Sequence, residues 1–484
     1  MSPGCWMLDF SVYKPPAEFK LDHRTGGENA RKWSMYVEEN TQFQLKVVSK
    51  SGLDIDGTYL PPAIHPSIAD EPKTDMKTSM LEAEMVMGAS VSDVLEKTGI
   101  KPEQVDILIT NCSIFCPTPS LASMLINKFK FRRDVEAYHL GGMGCSIGVV
   151  AVGLVRDMLK AHPNSIALFV PCEVTTYCFY PGRHKDFLVA NAIFRMGGAA
   201  MLMTNKPQLY SRCKYELQHS ERVHTGQDDT SYRCISWGPD DDGINGVYLG
   251  KDVPQEAGKM LQAVIAKVTP KIMTWGQYAE AAYFMFGKKV MGYDWGRYVP
   301  DYTKCMEHFA LHAGGYAVLK GIQKGMSLPM EMMLPSFASL RDMGNTSSST
   351  TWYSMAYMER FGMVQQGERV MQVGAGGGMK GGVNVWRALR DTKDLHPAWM
   401  HVDRPYREED LPRRINIEGD RPAAAAAAGK AGKDAGADAE AFRANGRRAT
   451  DAANGPNGQQ KNAIQRAIEI EANTEADELG VVAL

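Results

Sequence analysis

Leu140-Gly-Gly-Met-Gly-Cys-Ser-Ile-Gly148 sets one thiol among small residues, between a strand-like run (Val135 to Leu140) and an apolar run with helical spacing (Ile147 to Met158). A strand that turns through glycine into a buried helix is the local unit of an α/β protein, and it puts Cys145 at a helix N-terminus. Unpaired N–H groups and the positive end of the helix dipole favour a thiolate there, which predicts a pKa below the ~8.5 of free cysteine and a nucleophilic sulfur. The glycines let a substrate approach the backbone. Two other readings fit the same nine residues. Cys145 could be a small core side chain, or Gly144-Cys-Ser-Ile-Gly148 could be a G-x-S-x-G elbow with Ser146 as the nucleophile of a hydrolase.

Outward from this stretch, α/β texture runs from Trp6 to about Pro397. Trp6 to Tyr13, Val105 to Thr110, Ile166 to Val170 and Gly197 to Met203 read as strands of a first half. A second series starts near Cys213, with strands at Arg233 to Ser236, Glu368 to Val373 and Val383 to Leu389, and helices at Gly315 to Gly325 and Ser347 to Phe361. Two similar successions predict a duplicated core, divided as residues 1–206 and 207–399. From residue 400 to 484 charge and proline, then an Ala, Gly and Asp-rich tract, predict a disordered tail with one short helix at Ala463 to Ala476.

A chain of 484 residues with a net charge of −2 has ample apolar content for a large core and does not read as a general nucleic-acid or anionic-membrane binder. Nine cysteines without a C-x-x-C pair suggest neither a disulfide framework nor a zinc site, and so a reducing compartment. No window approaches the ~18 apolar residues of a membrane span, so the chain as given reads as soluble and cytoplasmic.

Further motifs narrow the chemistry. Asn111-Cys-Ser-Ile-Phe-Cys-Pro-Thr-Pro-Ser120 follows a strand, where sites form as readily as plain connections. Lys128-Phe-Lys-Phe-Arg-Arg133 reads as a solvated helix end, with phosphate grip as the alternative. His308-Phe-Ala-Leu-His312 puts two imidazoles on one helical face, but no carboxylate stands at zinc-protease spacing, so no metal is expected. His312 precedes Ala-Gly-Gly, which favours a working histidine over a core one. Gly344-Asn-Thr-Ser-Ser-Ser349 is an N-cap run whose Asn345 amide could also face a developing oxyanion. Gly374-Ala-Gly-Gly-Gly378 leads into an alternating strand rather than a helix, so it is a tight turn and not a dinucleotide loop.

Taken in order, Asn111 to Ser120, Gly141-Gly-Met-Gly-Cys-Ser146, Phe194-Arg-Met-Gly-Gly-Ala199, His312-Ala-Gly-Gly315 and Gly344 to Ser349 with Trp352-Tyr353 resemble the plant-type 3-ketoacyl-CoA synthases, the condensing enzymes of very-long-chain fatty acid elongation. The likeness runs from about Leu8 to Leu389. It implies an α/β thiolase-like fold of two similar βαβαβαββ halves in a layered α-β-α-β-α core, and a decarboxylative condensation of malonyl-CoA with an acyl-CoA without a cofactor. The resemblance assigns Cys145 as acyl-accepting nucleophile and His312 with Asn345 as the pair that binds the malonyl thioester, with His224, His308, Gly376 and Gly378 in support. It makes Ser146 the residue after the nucleophile. It also implies a homodimer at the cytosolic face of the endoplasmic reticulum membrane, working with elongase reductases and a dehydratase.

Departures from the family pattern are Arg341 in place of a histidine, Gly381 in place of a cysteine, Pro171-Cys-Glu-Val174 in place of Ser-Thr-Glu-Asn, and the lack of an N-terminal pair of spanning helices. Relatives in expectation include type III polyketide synthase-like and carrier-protein-dependent synthases; from other classes, a Ser146 hydrolase and a non-catalytic scaffold.

Overall fold

The structure is a computed structural model and describes residues 4–54, 57–295 and 298–411. The tail expected from residue 400 lies outside the described residues from 412 onward, as does the helix expected at Ala463 to Ala476. Its first part, 400–411, packs on the body: Val402 and Leu411 are buried, and Arg341 stacks on Tyr406 at 4.8 Å.

The first half begins with β1 (Trp6–Val12) and an excursion in which β2 (Lys20–Leu21) pairs with β3 (Thr58–Tyr59) around α1 (His23–Asn29) and α2 (Glu38–Val48). It continues through α3 (Met76–Thr98), β4 (Ile107–Asn111), α4 (Leu121–Phe129), β5 (Glu136–Leu140), α5 (Ile147–Ala161), β6 (Ile166–Glu173), α6 (Thr175–Cys178), α7 (Lys185–Ile193) and β7 (Gly197–Thr204). The second half runs β8 (Tyr215–His224), α8 (Asp229–Arg233), β9 (Ile235–Pro239), β10 (Asn245–Leu249), α9 (Val253–Ile272), α10 (Trp275–Lys289), β11 (His308–Leu311), α11 (Tyr316–Met326), α12 (Met330–Met343), α13 (Thr350–Arg360), β12 (Arg369–Gly376) and β13 (Lys380–Ala388).

Hydrogen bonding joins nine strands in the order β11-β12-β13-β8-β1-β7-β6-β4-β5. Read outward from the β1–β8 seam, the two sides repeat one plan. In the first half β1 is antiparallel to β7, β7 antiparallel to β6, and β6 parallel to β4. In the second half β8 is antiparallel to β13, β13 antiparallel to β12, and β12 parallel to β11. Every residue of β4, β6 and β7 is buried, as expected for continuous apolar runs covered on both faces. Helix α3 covers the first half, α9 the second, and α5 packs on strands of both. So α5 and α13 are the middle layer: Trp352 Nε1 donates to the Gly148 carbonyl at 3.1 Å, and Asn384 Nδ2 to the Val149 carbonyl at 2.9 Å.

Two expected elements differ. The strand expected at Arg233 to Ser236 is the end of α8 followed by β9, which pairs with β10 as a separate hairpin. His308 to Leu311, read as helical, is strand β11, because its apolar residues fill a sheet edge against β12 rather than a helix face.

Candidate active site

Three pieces of chain meet at the N-terminus of α5, namely the Gly141–Ser146 turn, the loop from Gly344 to Ser349 and the β12–β13 turn, and the residues after β11 join them through a hydrogen bond from Asn345 to the Gly314 carbonyl. Glycine decides how closely they approach. A Cβ on Gly376 would stand 2.6 Å from the Cys145 nitrogen, and one on Gly144, whose φ is +69°, would stand 2.5 Å from the Gly377 nitrogen. A Cβ on Gly148 would collide with the Ser348 carbonyl, so α5 and the 347–349 turn touch main chain to main chain.

Cys145 is half-buried against the apolar cluster that includes Ile193, Phe194 and Met379. Burial pushes its thiol up to about 12, and the nearby Glu173 charge adds to the rise while a Ser347 hydrogen bond opposes it. This corrects the lowered pKa expected from the helix N-terminus. A helix end supplies at most ~2 kcal/mol, and withdrawing a thiolate from water costs more.

His312 follows the last residue of β11, and its N–H donates to the Val373 carbonyl at 2.9 Å. The imidazole is buried, burial lowers its pKa to about 4, and Nε2 has no hydrogen-bond partner among the described residues. A buried polar nitrogen of this kind calls for a hydrogen-bond partner.

Asn345 pairs in a β-bridge with Phe194. Its side chain is held at both ends: Oδ1 accepts from the Ser347 N–H at 2.9 Å, and Nδ2 donates one hydrogen to the Gly314 carbonyl at 3.2 Å, two residues past His312. Arg195 steadies this pairing. Its buried guanidinium donates to Thr58 Oγ1 at 2.9 Å and to the carbonyls of Ala192 and Phe194 at 2.8 and 2.6 Å, and burial lowers its pKa to about 9.

Two site residues escaped sequence reasoning. The Ser347 hydroxyl lies 3.2 Å from Cys145 Sγ, to which it donates, and 3.0 Å from Glu173 Oε2. It has one proton, so donation to sulfur requires it to accept from a protonated Glu173; with Glu173 ionised, Ser347 donates there and the thiol donates to Ser347. Burial raises the Glu173 carboxyl, against the N–H groups of Ser113 and Ile114, each 3.1 Å away. The available signal was a carboxylate closing an otherwise buried strand, Ile166 to Glu173.

The remaining candidates fall elsewhere or serve indirectly. His308 lies at the start of β11, about 13 Å of strand from His312 at ~3.3 Å per residue, and its Nε2 is 2.8 Å from Glu368. His224 ends β8 opposite Lys380, where its Nδ1 accepts from the Gly226 N–H at 3.0 Å. Gly378, at φ +66°, forms the turn that carries Gly376 to Cys145. Ser146 Oγ is buried without a partner among the described residues, so no base serves it as a hydrolase would need. Arg341 pairs with Asp54 and Asp342. A side chain at Gly381 would strike Met260 of α9, which fills the space that a family cysteine would take. Lys128 and Arg132 are spent on Glu84, at 2.7 Å, and Asp106, at 3.0 Å, rather than poised for phosphate.

Residues 2–290 match the model of the FAE1/Type III polyketide synthase-like protein family, and residues 303–388 that of the 3-oxoacyl-[acyl-carrier-protein] synthase III C-terminal family. The chain is 40% identical over 388 residues to 3-ketoacyl-CoA synthase 6 of Arabidopsis thaliana, covering 80% of this chain and 77% of that protein. It is 38% identical over 388 residues to 3-ketoacyl-CoA synthase 5 of the same plant, covering 80% and 78%. Among solved structures, the C-terminal type III polyketide synthase domain of Steely1 from Dictyostelium aligns with TM-score 0.61 at 16% identity, over 80% of this chain and 99% of that one. For 1,3,6,8-tetrahydroxynaphthalene synthase from Streptomyces coelicolor A3(2) the values are 0.60, 19%, 81% and 100%. The fold is therefore that of these thiolase-like synthases.

Proposed function

The chain belongs to the FAE1/type III polyketide synthase-like protein family, and from that premise we propose that it is a 3-ketoacyl-CoA synthase, joining malonyl-CoA to a long-chain or very-long-chain acyl-CoA. The observation that carries this reading is the unbroken run of contacts from Cys145 Sγ through Ser347 and Asn345 to the loop of His312, whose Nε2 is left unsatisfied.

Cys145 sulfur attacks the acyl-CoA carbonyl, and CoA leaves as a thiol, taking up the proton that the sulfur gave up. The acyl chain is then held as a thioester on the enzyme, so one difficult step becomes two easier ones. The Cys145 main-chain N–H, beside the Gly376–Gly377 turn, faces the tetrahedral oxyanion. Malonyl-CoA enters next. His312 Nε2–H and the second Asn345 amide hydrogen hold its thioester oxygen while carbon dioxide leaves, and the enolate formed is stabilised by those two donors by about 3 kcal/mol or more each. Its carbon attacks the acyl-enzyme; the 3-ketoacyl-CoA, two carbons longer, departs and the Cys145 thiolate takes up one proton. These steps call for no metal or redox cofactor.

On this reading residues 1–206 supply the nucleophile and 207–399 supply His312 and Asn345. The family resemblance extends it to a homodimer at the endoplasmic reticulum membrane, with reductase and dehydratase partners. No helix among the described residues is long and apolar enough to cross a membrane.

Purified protein with radiolabelled malonyl-CoA and acyl-CoAs of graded length tests the proposal. One labelled two-carbon extension per acyl chain is expected. Cys145→Ala should abolish acyl-enzyme formation; Asn345→Ala should acylate but not condense. Products carrying several malonyl-derived units would make it a polyketide synthase, and labelling of Ser146 by a fluorophosphonate would make it a hydrolase.

A further inference from the structure

More than half of the exposed large apolar side chains among the described residues fall in one stretch, 275–295, which is α10 and the turn after it. The helix is amphipathic in the reverse sense from an ordinary surface helix. Toward the protein it turns Gln277 and Gly287, both buried, with Phe284 half-buried between them. Gln277 Nε2 donates to the Asp301 carbonyl at 2.7 Å, and Gly287 accommodates the Trp295 ring. Toward solvent it turns Trp275, Ala282 and Phe286, at i, i+7 and i+11, flanked by Tyr278, Tyr283 and Val290. Trp275 is 89% exposed and Tyr283 69%. A soluble helix would point this stripe at the core, and a contiguous exposed apolar face of this kind marks an interaction surface.

Composition and charge select what covers it. Tryptophan and tyrosine around a phenylalanine and valine centre match side chains that sit at the headgroup level of a bilayer. In the last turn Lys289, exposed between Phe286 and Val290 in sequence, edges the outward stripe, whereas Lys288 follows Phe284 by one turn on the inner side. Of the two acids in this stretch, Glu280 is on the inner flank of the helix with Lys304 at 3.2 Å, and Asp294 in the turn is engaged by a partner. The outward face is thus apolar with a basic end, complementary to anionic headgroups. Lysine is depleted from protein–protein interface cores, which argues against a second copy. At ~1.5 Å per residue the fifteen residues of α10 reach only about 22 Å, too short to span a bilayer but suited to lie in its surface.

We propose that α10 and the turn to Trp295 form a monotopic membrane contact, lying in the interface of a bilayer that carries anionic lipid, with Trp275 and Phe286 inserted and Lys289 among the headgroups. The proposal does not depend on the catalytic reading, because lipid binding is measured without turnover.

Flotation of the full chain with phosphatidylcholine–phosphatidylserine vesicles, and with phosphatidylcholine alone, tests it. The wild type should float with the mixed vesicles, and its tryptophan emission should be quenched by brominated lipid. Trp275→Ser with Phe286→Ser should cut bound protein about tenfold or more, since it removes two large apolar side chains from the inserted face, while leaving the far-UV spectrum and melting temperature unchanged. Lys289→Gln should weaken binding about fivefold on anionic vesicles and little on neutral ones. The proposal is overturned if the wild type stays unbound, if the Trp275/Phe286 variant floats like wild type, or if that variant turns a lipid-free dimer into a monomer, which would assign the face to a second copy. Should that variant misfold, absence of quenching in the wild type would reject the proposal by itself.

Discussion

At the residue level, the surroundings of the Cys145 thiol and not its position on a helix set its pKa. Burial holds Cys145 up at about 12, and the one side-chain hydrogen bond that opposes this comes from Ser347. Ser347→Ala should therefore slow acylation by about tenfold, the worth of ~1.4 kcal/mol for a hydrogen bond to a charged sulfur. Malonyl-CoA decarboxylation should change little, because the Asn345 side chain is held by the main-chain N–H of residue 347, which the substitution keeps. Single-turnover acylation measured beside decarboxylation separates the two; equal losses in both would mean that Ser347 only supports the loop. Cys145 and His312 stood out as candidates in their local sequence, one between small residues and the other before Ala-Gly-Gly. Ser347 and Glu173 did not, since a serine in an N-cap run and a glutamate ending a strand acquire meaning only when α5 brings sulfur to them.

At the level of elements, α5 is the part on which the site is assembled. Its glycines are not equivalent. Gly148 abuts the Ser348 carbonyl, which cannot yield without moving the turn that carries Ser347, whereas a Cβ at Gly153 would meet only the Ser220 hydroxyl at 2.9 Å, which can rotate away. Gly148→Ala should cost about 3 kcal/mol by overpacking, and Gly153→Ala should be near neutral, its contact offset by the ~1 kcal/mol gain in helix propensity. Thermal melting of both variants checks this, and equal destabilisation would show that α5 is not clamped at its N-terminus. The run from Ile147 to Met158 gave the helix in the sequence. The helix reading of His308 to Leu311 failed because four residues hold too little periodicity to separate helix from strand, and pairing with β12 decides it.

Across the whole molecule, the two halves are tied by a buried ionic cluster. Lys214, at the start of β8, contacts Asp9 of β1 at 2.7 Å, Glu359 of α13 at 2.8 Å and Asp394 at 2.7 Å, and His396 Nε2 is 2.9 Å from Glu359. Although burial alone would raise the Glu359 carboxyl, Lys214 and the His396 hydrogen bond outweigh it and hold the group at about 2, below its ordinary 4.5. Between those values the unfolded chain binds the extra proton, so this stabilisation is full above about pH 4.5 and is lost as pH falls toward 2. Lys214→Met leaves the buried Glu359 carboxylate with only its His396 hydrogen bond and should cost roughly 3–5 kcal/mol near pH 7. The deficit should shrink near pH 4, where Glu359 in the variant takes up a proton; urea unfolding at the two pH values measures it, and a deficit that grew toward acid would reverse the assignment. By itself the sequence determined the α/β texture, the duplicated succession and the order of the five motifs, because periodicity, glycine and proline breaks and residue type act over a few neighbours. Only the tertiary structure decided the pairing order that repeats across the β1–β8 seam, the burial that raises the Cys145 pKa and leaves His312 Nε2 unsatisfied, the recruitment of Ser347 and Glu173, and the outward turn of α10. Each of these depends on which surfaces are excluded from water, and that is settled by contacts between residues far apart in the chain.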